Sequence, residues 1–321
     1  MTANYPNAIH DRLAGGLIGL LVGDALGVPY EFHKPSALPP TESIEFRPPP
    51  GFARSHAGVP PGTWSDDGAH ALILLDSLLQ RQSLDLQHFA GGLQRWLYSG
   101  FCAVNGSVFD IGIQTSTAIN RLKAHVPPER SGPDGEHQNG NGSLMRVLPL
   151  VLWHKGSDEE LVVLAMRQSL PTHGHVRAQL ACAMYCLWAR AILKEFAEPW
   201  LDAEARLCNL ASRLGLPDME LERVLDPGNA QAAYGSGYVL DTLWSAKSAV
   251  ENARSYQDCV RSAIALGHDT DTTAAVAGGI AGLKYGFGGI PDRWRSGLRG
   301  EAIYRPLLDA LLAGYGDCEA E

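Results

Sequence analysis

Apolar residues recur at intervals of three and four along almost the whole chain, the spacing that places them on one face of a helix. Strand-like alternation is hard to find. Helical segments of this kind include Leu72, Leu75, Leu78 and Leu79, then Leu161, Leu164 and Ala165, then Leu180, Met184 and Leu187. Turn signals separate such segments at short intervals: Gly100, Pro127-Pro128, Gly156, Pro171, Pro227-Gly228 and Gly286 to Pro291. The pattern predicts an all-α fold, a compact bundle of many helices.

One region departs from the helical spacing. Residues 34–62 hold eight of the twenty prolines, and proline removes a backbone donor and prevents regular helix. We expect either an ordered excursion or a mobile lid here. The segment leads directly into Trp64-Ser65-Asp66-Asp67. A long loop that ends at polar residues of this kind favours a functional role, with a plain surface insertion as the alternative.

Composition limits the class of protein. The 321 residues are 45% hydrophobic throughout, so we predict one domain that spans residues 1–321. Because the net charge is −9, the surface offers no general attraction to nucleic acid or anionic membranes, although a local basic pocket could hold a phosphorylated small molecule. The cysteines are scattered without a Cys-x-x-Cys pair, which predicts buried thiols in a reducing compartment: Cys102, Cys182, Cys186, Cys208, Cys259 and Cys318.

The beginning of the sequence does not look like a targeting segment. Residues 1–12 lack the basic and then apolar pattern of a secretory signal, and the apolar stretch from Leu13 is interrupted by Asp24. Eleven apolar residues are too few to cross a bilayer. We therefore expect a soluble cytoplasmic protein, a monomer with no membrane partner.

Two aspartate clusters, about two hundred residues apart, carry the strongest chemical signal. The front cluster is Ser65-Asp66-Asp67 and the rear cluster is Asp269-Thr270-Asp271-Thr272. Carboxylates with interleaved hydroxyls, and no cage of Cys or His, form the oxygen-rich ligand set that Mg²⁺ and Mn²⁺ prefer. If folding brings the clusters together, they predict a site for two divalent cations, Mg²⁺ or Mn²⁺.

Both clusters have alternative explanations. Ser and Asp before a helical segment are good N-caps, since their side chains accept the free amide donors of the first turn. Capping of two helices without metal is therefore the competing interpretation. A calcium loop is excluded for the rear cluster, because counting from Asp269 puts Ala274 where glycine is needed and Ile280 where a bidentate glutamate is needed.

A glycine-rich stretch near the front, residues 15–27, invites comparison with a nucleotide-binding loop. No strand precedes it and no Gly-Lys-Ser/Thr occurs in the chain, so neither the dinucleotide fingerprint nor the P-loop is supported. The glycines fall at helical spacing, which predicts a central helix packed closely against its neighbours. Asp24 and Glu31 then lie at the end of a buried helix, where a carboxylate needs a metal or a hydrogen-bond donor.

Five blocks in this order carry a family resemblance: Gly-Asp-Ala-Leu-Gly (23–27), Trp-Ser-Asp-Asp (64–67), Asn-Gly-Ser-Leu-Met-Arg (141–146), His-Gly-His (173–175) and Gly-His-Asp-Thr-Asp-Thr (267–272). Together they resemble the signature of the ADP-ribosylglycohydrolase family, from about residue 11 to about residue 290. The resemblance implies an all-α fold with two Mg²⁺ or Mn²⁺ ions in a central cleft. It also implies cleavage of the bond between the distal ribose of ADP-ribose and a modified acceptor.

The resemblance also implies roles for individual residues. The implied metal ligands are Ser65, Asp66, Asp67, Asp269, Asp271 and Thr272. Glu31 matches a glutamate that some members use near the metals, and with Asp67 and Asp269 it completes the candidate catalytic set. The implied substrate contacts are Asp110 at the ribose, Asn141, Gly142, Ser143 and Met145 at the diphosphate, and His175 and Tyr238 beside the nucleotide. A lone His or Tyr is more often a core residue with one satisfied polar tip.

One position departs from the family pattern: Gly68 stands where threonine usually follows the two aspartates. A missing hydroxyl there weakens the support of the front metal.

We expect a hydrolase that acts on an ADP-ribosylated protein or small molecule, with arginine as the leading acceptor. Glu31 or a metal-bound aspartate would take a proton from water. Serine, a nucleobase or an acetyl ester are alternative acceptors of the same chemistry. A catalytically silent ADP-ribose-binding module and a two-metal phosphoesterase are alternatives of other classes.

Overall fold

The computed structural model describes residue 5 and residues 7–316, except for the side chains of 230–232. Over these residues it contains fifteen α-helices, several short 3-10 turns and no strand, apart from one isolated bridge between Gly140 and Tyr238. The prediction of an all-α fold is confirmed. The helices are α1 Ala8–Gly27, α2 Asp66–Arg81, α3 Leu86–Ser99, α4 Ile113–Lys123, α5 Pro128–Ser131, α6 Leu148–Trp153, α7 Asp158–Ser169, α8 Val176–Leu193, α9 Pro199–Leu214, α10 Asp218–Leu225, α11 Val239–Asn252, α12 Tyr256–Ala265, α13 Thr270–Tyr285, α14 Asp292–Gly297 and α15 Glu301–Ala313.

An antiparallel pair, α1 and α13, forms the centre of the bundle. Glycine permits their close approach: a Cβ atom on Gly19 would lie 2.4 Å from the carbonyl oxygen of Gly278, and one on Gly23 would lie 2.1 Å from that of Ala274. No side chain fits at such distances. The predicted close packing of the glycine-rich helix is therefore confirmed, and it fixes the end of α1 beside the beginning of α13.

The remaining helices enclose this pair. Helices α8, α11 and α12 pack against α13, while α2 and α6 pack against each other and against α1. Residues 8–30 are long and apolar enough to cross a membrane, but the 18-residue stretch of this segment with a mean hydropathy of 1.5 is buried inside the protein. Its length and composition are those of a core helix surrounded by other helices of the same chain.

The proline-rich segment, residues 34–62, is irregular, with 3-10 turns at Pro35–Ala37 and Thr41–Ser43. Its middle is tied to the body of the protein, since Ile44 is fully buried and the hydroxyl of Tyr30 donates to the carbonyl of Glu45 at 2.8 Å. Arg261 of α12 also donates to the Glu45 carboxylate at 2.7 Å. The segment is thus an anchored excursion that ends at the beginning of α2.

The prediction that the cysteines are buried thiols holds for four of them, Cys102, Cys182, Cys186 and Cys259, which are buried and free. It is wrong for Cys208, which is exposed because it lies on the solvent side of the amphipathic helix α9. Cys318 lies outside the described residues.

Candidate active site

The central helix pair brings the two aspartate clusters together. A Cβ atom on Gly27, at the end of α1, would lie 2.3 Å from the Cα atom of Asp271, in the first turn of α13. The front cluster begins α2, and the hydroxyl of Thr272 lies 3.4 Å from the Asp67 Oδ2 atom. Residues separated by about two hundred positions therefore form one site.

Asp24 connects α1 to the front cluster. Its carboxylate accepts hydrogen bonds from the backbone N–H of Ser65, at 2.8 and 3.0 Å to the two oxygens, and from that of Gly68 at 2.7 Å. The side chain is completely buried, and burial raises the pKa of Asp24 to about 7, although these hydrogen bonds oppose the rise. Two amide donors thus satisfy the need for a partner that the sequence predicted for this carboxylate.

Capping explains only the front cluster. Ser65 is the N-cap of α2, accepts a hydrogen bond from Asp67 N at 3.4 Å and donates to Asp67 Oδ2 at 2.9 Å. Asp269 occupies the N-cap position of α13, but among the described residues its side chain makes no capping hydrogen bond with the backbone of the helix. It accepts one instead from the side-chain amide of Asn141 at 2.8 Å. The interpretation of both clusters as helix caps alone is therefore wrong for the rear cluster.

The carboxylates form two groups that share Asp271. Oxygen atoms of Asp24, Asp67 and Asp271 lie within 4.8 Å of one another, as do those of Glu31, Asp269 and Asp271. No donor in residues 7–316 reaches Asp67 Oδ1 or Asp271 Oδ2, although both atoms are buried. Buried carboxylate oxygens without a donor are costly unless a cation binds them. An all-oxygen set of this kind fits hard divalent cations, Mg²⁺ or Mn²⁺.

The charges in this cluster oppose one another. Burial, and then the nearby Asp110 carboxylate, raises the pKa of Glu31 to about 11. The pKa of Asp66 and that of Asp67 lie well above the usual range, because both groups are buried and neighbouring carboxylates repel their charge. The same causes raise the pKa of Asp271. So many carboxylates ionise together only if positive charge is supplied.

A cleft of about 400 Å³ opens above the carboxylates. Most residues with a predicted role line it: Glu31, Asp66, Asp110, Asn141, Gly142, Met145, Asp269 and Thr272. Three more lie beneath its floor, since Ser65, Asp67 and Asp271 are buried and next to these lining residues. The structure thus brings together the predicted metal ligands, the candidate catalytic residues and much of the predicted substrate-binding set.

Three predicted substrate contacts do not line this cleft. Ser143 is buried and accepts a hydrogen bond from the Ser169 hydroxyl at 2.8 Å. His175 is the N-cap of α8, where its Nδ1 atom accepts from Arg177 N at 3.2 Å. The hydroxyl of Tyr238 accepts from the Arg177 guanidinium at 3.3 Å. Each has a structural partner.

Two histidines of the site were not predicted. His173 lines the cleft, and burial lowers its pKa to about 3, which keeps the ring neutral. It belongs to the His-Gly-His block, from which the family resemblance implied His175 as the substrate contact. His56 comes from the proline-rich segment, and its Nε2 atom lies 2.7 Å from Glu31 Oε2. No sequence signal marked His56 beyond its place in the long proline-rich segment.

Gly68 has a steric explanation. A Cβ atom there would lie 2.8 Å from the ring of Trp64 and 2.8 Å from a methyl group of Leu21. Threonine would require both neighbours to shift. The backbone N–H of Gly68 still supports the site, because it donates to Asp24.

Several residues at the cleft have positive φ angles although they are not glycine: Phe32 (63°), His56 (50°), Asp110 (57°) and His268 (61°). This left-handed conformation is uncommon for such residues and tends to occur at functional sites.

Comparisons with known proteins agree with this arrangement. The sequence profile of the ADP-ribosylglycohydrolase family matches residues 5–320. The chain is 31% identical over 298 residues to the ADP-ribosylarginine hydrolase Tri1 of Pseudomonas putida, an alignment that covers 90% of this chain and 74% of the relative. It is 28% identical over 311 residues to the ADP-ribosyl-[dinitrogen reductase] glycohydrolase of Rhodospirillum rubrum, covering 96% and 98%.

A solved structure described as an ADP-ribosylglycohydrolase-related protein complex superposes with a TM-score of 0.75 at 32% identity, covering 96% of this chain and 98% of that one. The helical fold, the joined carboxylate clusters and a family match over nearly the whole length lead to one assignment. The chain belongs to the ADP-ribosylglycohydrolase family and is an ADP-ribosylhydrolase.

Proposed function

We propose that this protein removes ADP-ribose from ADP-ribosylated arginine in the cytoplasm, with two divalent cations, Mg²⁺ or Mn²⁺, as cofactors. One observation carries the proposal: the two aspartate clusters lie together under a cleft of about 400 Å³, and buried oxygens of Asp67 and Asp271 have no hydrogen-bond donor among the described residues. Arginine as the acceptor is supported by the Pseudomonas putida relative, which is an ADP-ribosylarginine hydrolase.

The residues that would hold the cations are those predicted from the sequence: Ser65, Asp66, Asp67, Asp269, Asp271 and Thr272. When bound, divalent cations neutralise such a cluster, orient ribose hydroxyls and lower the pKa of a water molecule. Asp24 holds this set in place, because it fixes the first turn of α2 through two backbone amides.

The cleft residues orient the substrate. Asn141 is held by hydrogen bonds from its side-chain amide to Asp269, at 2.8 Å, and to the Thr242 hydroxyl, at 2.9 Å. A Cβ atom on Gly142 would lie 2.7 Å from the His173 ring, so only glycine lets the backbone run this close to the cleft wall. Asn141, Gly142 and Met145 therefore form the wall for the diphosphate, and Asp110 faces the ribose.

Glu31 is our candidate for the base that takes the proton from water. Its carboxyl group is buried at the cleft, and the His56 ring contacts it from the proline-rich segment. Bound cations would supply the positive charge that keeps this carboxyl group ionised despite its raised pKa, and an ionised carboxylate at the cleft could then accept a proton from water.

A panel of substrates with ADP-ribose linked to arginine, serine, a nucleobase and acetate tests the proposal, assayed with Mg²⁺, with Mn²⁺ and with EDTA. We expect release of intact ADP-ribose from the arginine substrate, lost in EDTA. Release of AMP or phosphate would indicate a phosphoesterase, and binding without turnover a silent module; either result contradicts the proposal. Preference for another acceptor would contradict the choice of arginine.

Variants Asp67→Ala and Asp269→Ala should lose turnover without unfolding. A matched control is Asp76→Asn, because Asp76 lies on the same helix as Asp67 but does not line the cleft, and it contacts Gln80 one turn away. The control should keep wild-type rates. Near-normal rates in the two cluster variants would refute the assignment of these aspartates.

A further inference from the structure

A large aromatic side chain stands exposed at the mouth of the cleft. Phe32 follows Glu31 directly, lines the cleft and is 70% exposed to solvent. A phenylalanine of this exposure loses the benefit of burial that its ring would have in the core. Its position at the entrance to the candidate active site therefore calls for a functional explanation.

The backbone holds Phe32 firmly in this place. Its N–H donates to the carbonyl of His268 at 2.6 Å, and the N–H of His268 donates to the carbonyl of His33 at 2.7 Å. Both Phe32 and His268 have positive φ angles, a conformation that costs free energy for residues other than glycine. These backbone hydrogen bonds to His268, which directly precedes the rear cluster, fix the backbone of Phe32 at the cleft.

The surroundings of the ring favour a planar cation. The centroid of the His56 ring lies 5.8 Å from that of Phe32, and the same histidine contacts Glu31. Ligand atoms of Glu31, His56 and Asp110 lie within 4.8 Å of one another. An aromatic face beside two carboxyl groups attracts a guanidinium group, which is flat, always charged and able to stack on a ring.

We propose that Phe32 is a specificity-determining residue that stacks on the guanidinium group of ADP-ribosylated arginine. The inference rests on the proposed function and goes beyond it, because it names the side chain that recognises the acceptor. Ile113 is another exposed side chain lining the cleft, at 86%, but it has no aromatic face. Serine-linked or acetyl-linked ADP-ribose offers Phe32 no planar cation, so the ring favours arginine among the acceptors.

Steady-state kinetics of Phe32→Leu and Phe32→Tyr, on arginine-linked and serine-linked ADP-ribose, test this role. Leucine keeps apolar bulk without a π face, and tyrosine keeps the face. For the leucine variant we expect KM for the arginine substrate to rise by about tenfold with kcat nearly unchanged, the range of a cation–π contact. Tyrosine should restore wild-type KM, and the serine substrate should be unaffected.

A matched control is Tyr98→Leu. Tyr98 is an exposed aromatic residue on α3, 54% exposed, with the Lys123 ammonium over its ring, and it does not line the cleft. This variant should behave as wild type on both substrates. Melting temperatures of all variants show whether folding is retained.

Inhibition of the wild-type enzyme gives a test that needs no variant. Agmatine carries a guanidinium group, whereas 1,4-diaminobutane carries compact ammonium groups. We expect agmatine to compete with the arginine substrate at least about fivefold more strongly.

The outcomes separate the two proposals. An equal loss on both substrates in Phe32→Leu, or no loss, overturns the role of Phe32 while the hydrolase function stands. Equal inhibition by agmatine and 1,4-diaminobutane also overturns the role of Phe32 and leaves the hydrolase function standing. A wild-type enzyme that does not act on arginine-linked ADP-ribose overturns the proposed function, and the inference with it.

Discussion

Replacing Asp271 by asparagine should stabilise the cation-free protein while removing its activity. One carboxylate oxygen of Asp271, Oδ1, accepts a hydrogen bond from Thr272 N at 2.9 Å, which asparagine can also accept. Within the described residues the other oxygen has no donor. An amide group at that place would instead offer donors to the carboxylates of Asp24 and Asp67, which lie within 4.8 Å.

The magnitude follows from the distances. Two unit charges no more than 4.8 Å apart repel by at least about 3.5 kcal/mol at an effective dielectric constant of about 20. Protonation of the cluster relieves part of this repulsion, so we expect Asp271→Asn to gain about 1–3 kcal/mol without divalent ions. For a protein of this length such a gain raises the melting temperature by about 2–5 °C.

Divalent cations should reverse the order of the melting temperatures of the wild-type protein and Asp271→Asn. A cation at a hundred times its Kd stabilises the wild-type protein by about 2.7 kcal/mol for each site, and the variant lacks a carboxylate that would bind it. Calorimetric melting in EDTA, in Mg²⁺ and in Mn²⁺ measures both effects, and ADP-ribose release is assayed in parallel. The variant should melt higher than wild type in EDTA, lower in saturating cation, and show no turnover.

Asp241 provides the matched control, because it is a buried aspartate whose oxygens have donors. Its Oδ1 atom accepts from Tyr234 N at 2.7 Å and its Oδ2 atom accepts from Ser236 N at 3.0 Å. Asp241→Asn should lower the melting temperature equally with and without cations. If Asp271→Asn melts lower than wild type in EDTA, or responds to cations as wild type does, the reasoning about a repulsive cation-binding cluster is refuted.

Two further changes probe the scaffold. Gly23→Ala places a Cβ atom 2.1 Å from the Ala274 carbonyl oxygen and should lower the free energy of unfolding in urea by about 3 kcal/mol. Gly91→Ala on α3, where a Cβ atom would have nothing within 4 Å, should raise it by about 0.5–1 kcal/mol. Equal effects of the two substitutions would contradict the close packing of α1 and α13. The hydrogen bonds from Arg177, at 2.7 and 2.9 Å, lower the pKa of Glu220, so the carboxylate stabilises the folded state above pH about 4.5, and this contribution is lost as the pH falls through the lowered value. Glu220→Gln should therefore lower the free energy of unfolding by about 1–2 kcal/mol at pH 7, and by progressively less as the pH falls below the ordinary pKa of a glutamate. A pH-independent cost in thermal melts would refute the ion pair.

The sequence predicted the fold class and the close packing of the glycine-rich helix for reasons that the structure explains. Helical periodicity marked α2, α7 and α8, and the glycine spacing of residues 15–27 predicted close packing. The aspartates at the beginning of α2 and α13 were identifiable as one site only on the condition that folding brings the two clusters together, which the sequence alone does not establish. Their roles as metal ligands and catalytic residues stay predictions.

Residues whose role depends on distant loops were harder to predict. His56 reaches Glu31 only because residues 34–62 fold back onto the residues that follow α1, where Ser55 N donates to the Pro29 carbonyl at 3.0 Å. In the other direction, His175 was expected beside the nucleotide, but its ring nitrogen caps α8. Local spacing shows which residues begin a helix, whereas the choice between His173 and His175 depends on how the turn before α8 directs each ring. The packing of α1 on α13 depends instead on the spacing of glycines along one helix, which the sequence shows directly. The same glycines set the stability of the core and the distance between the carboxylates. A change such as Gly23→Ala should therefore lower the affinity for cations together with the free energy of unfolding.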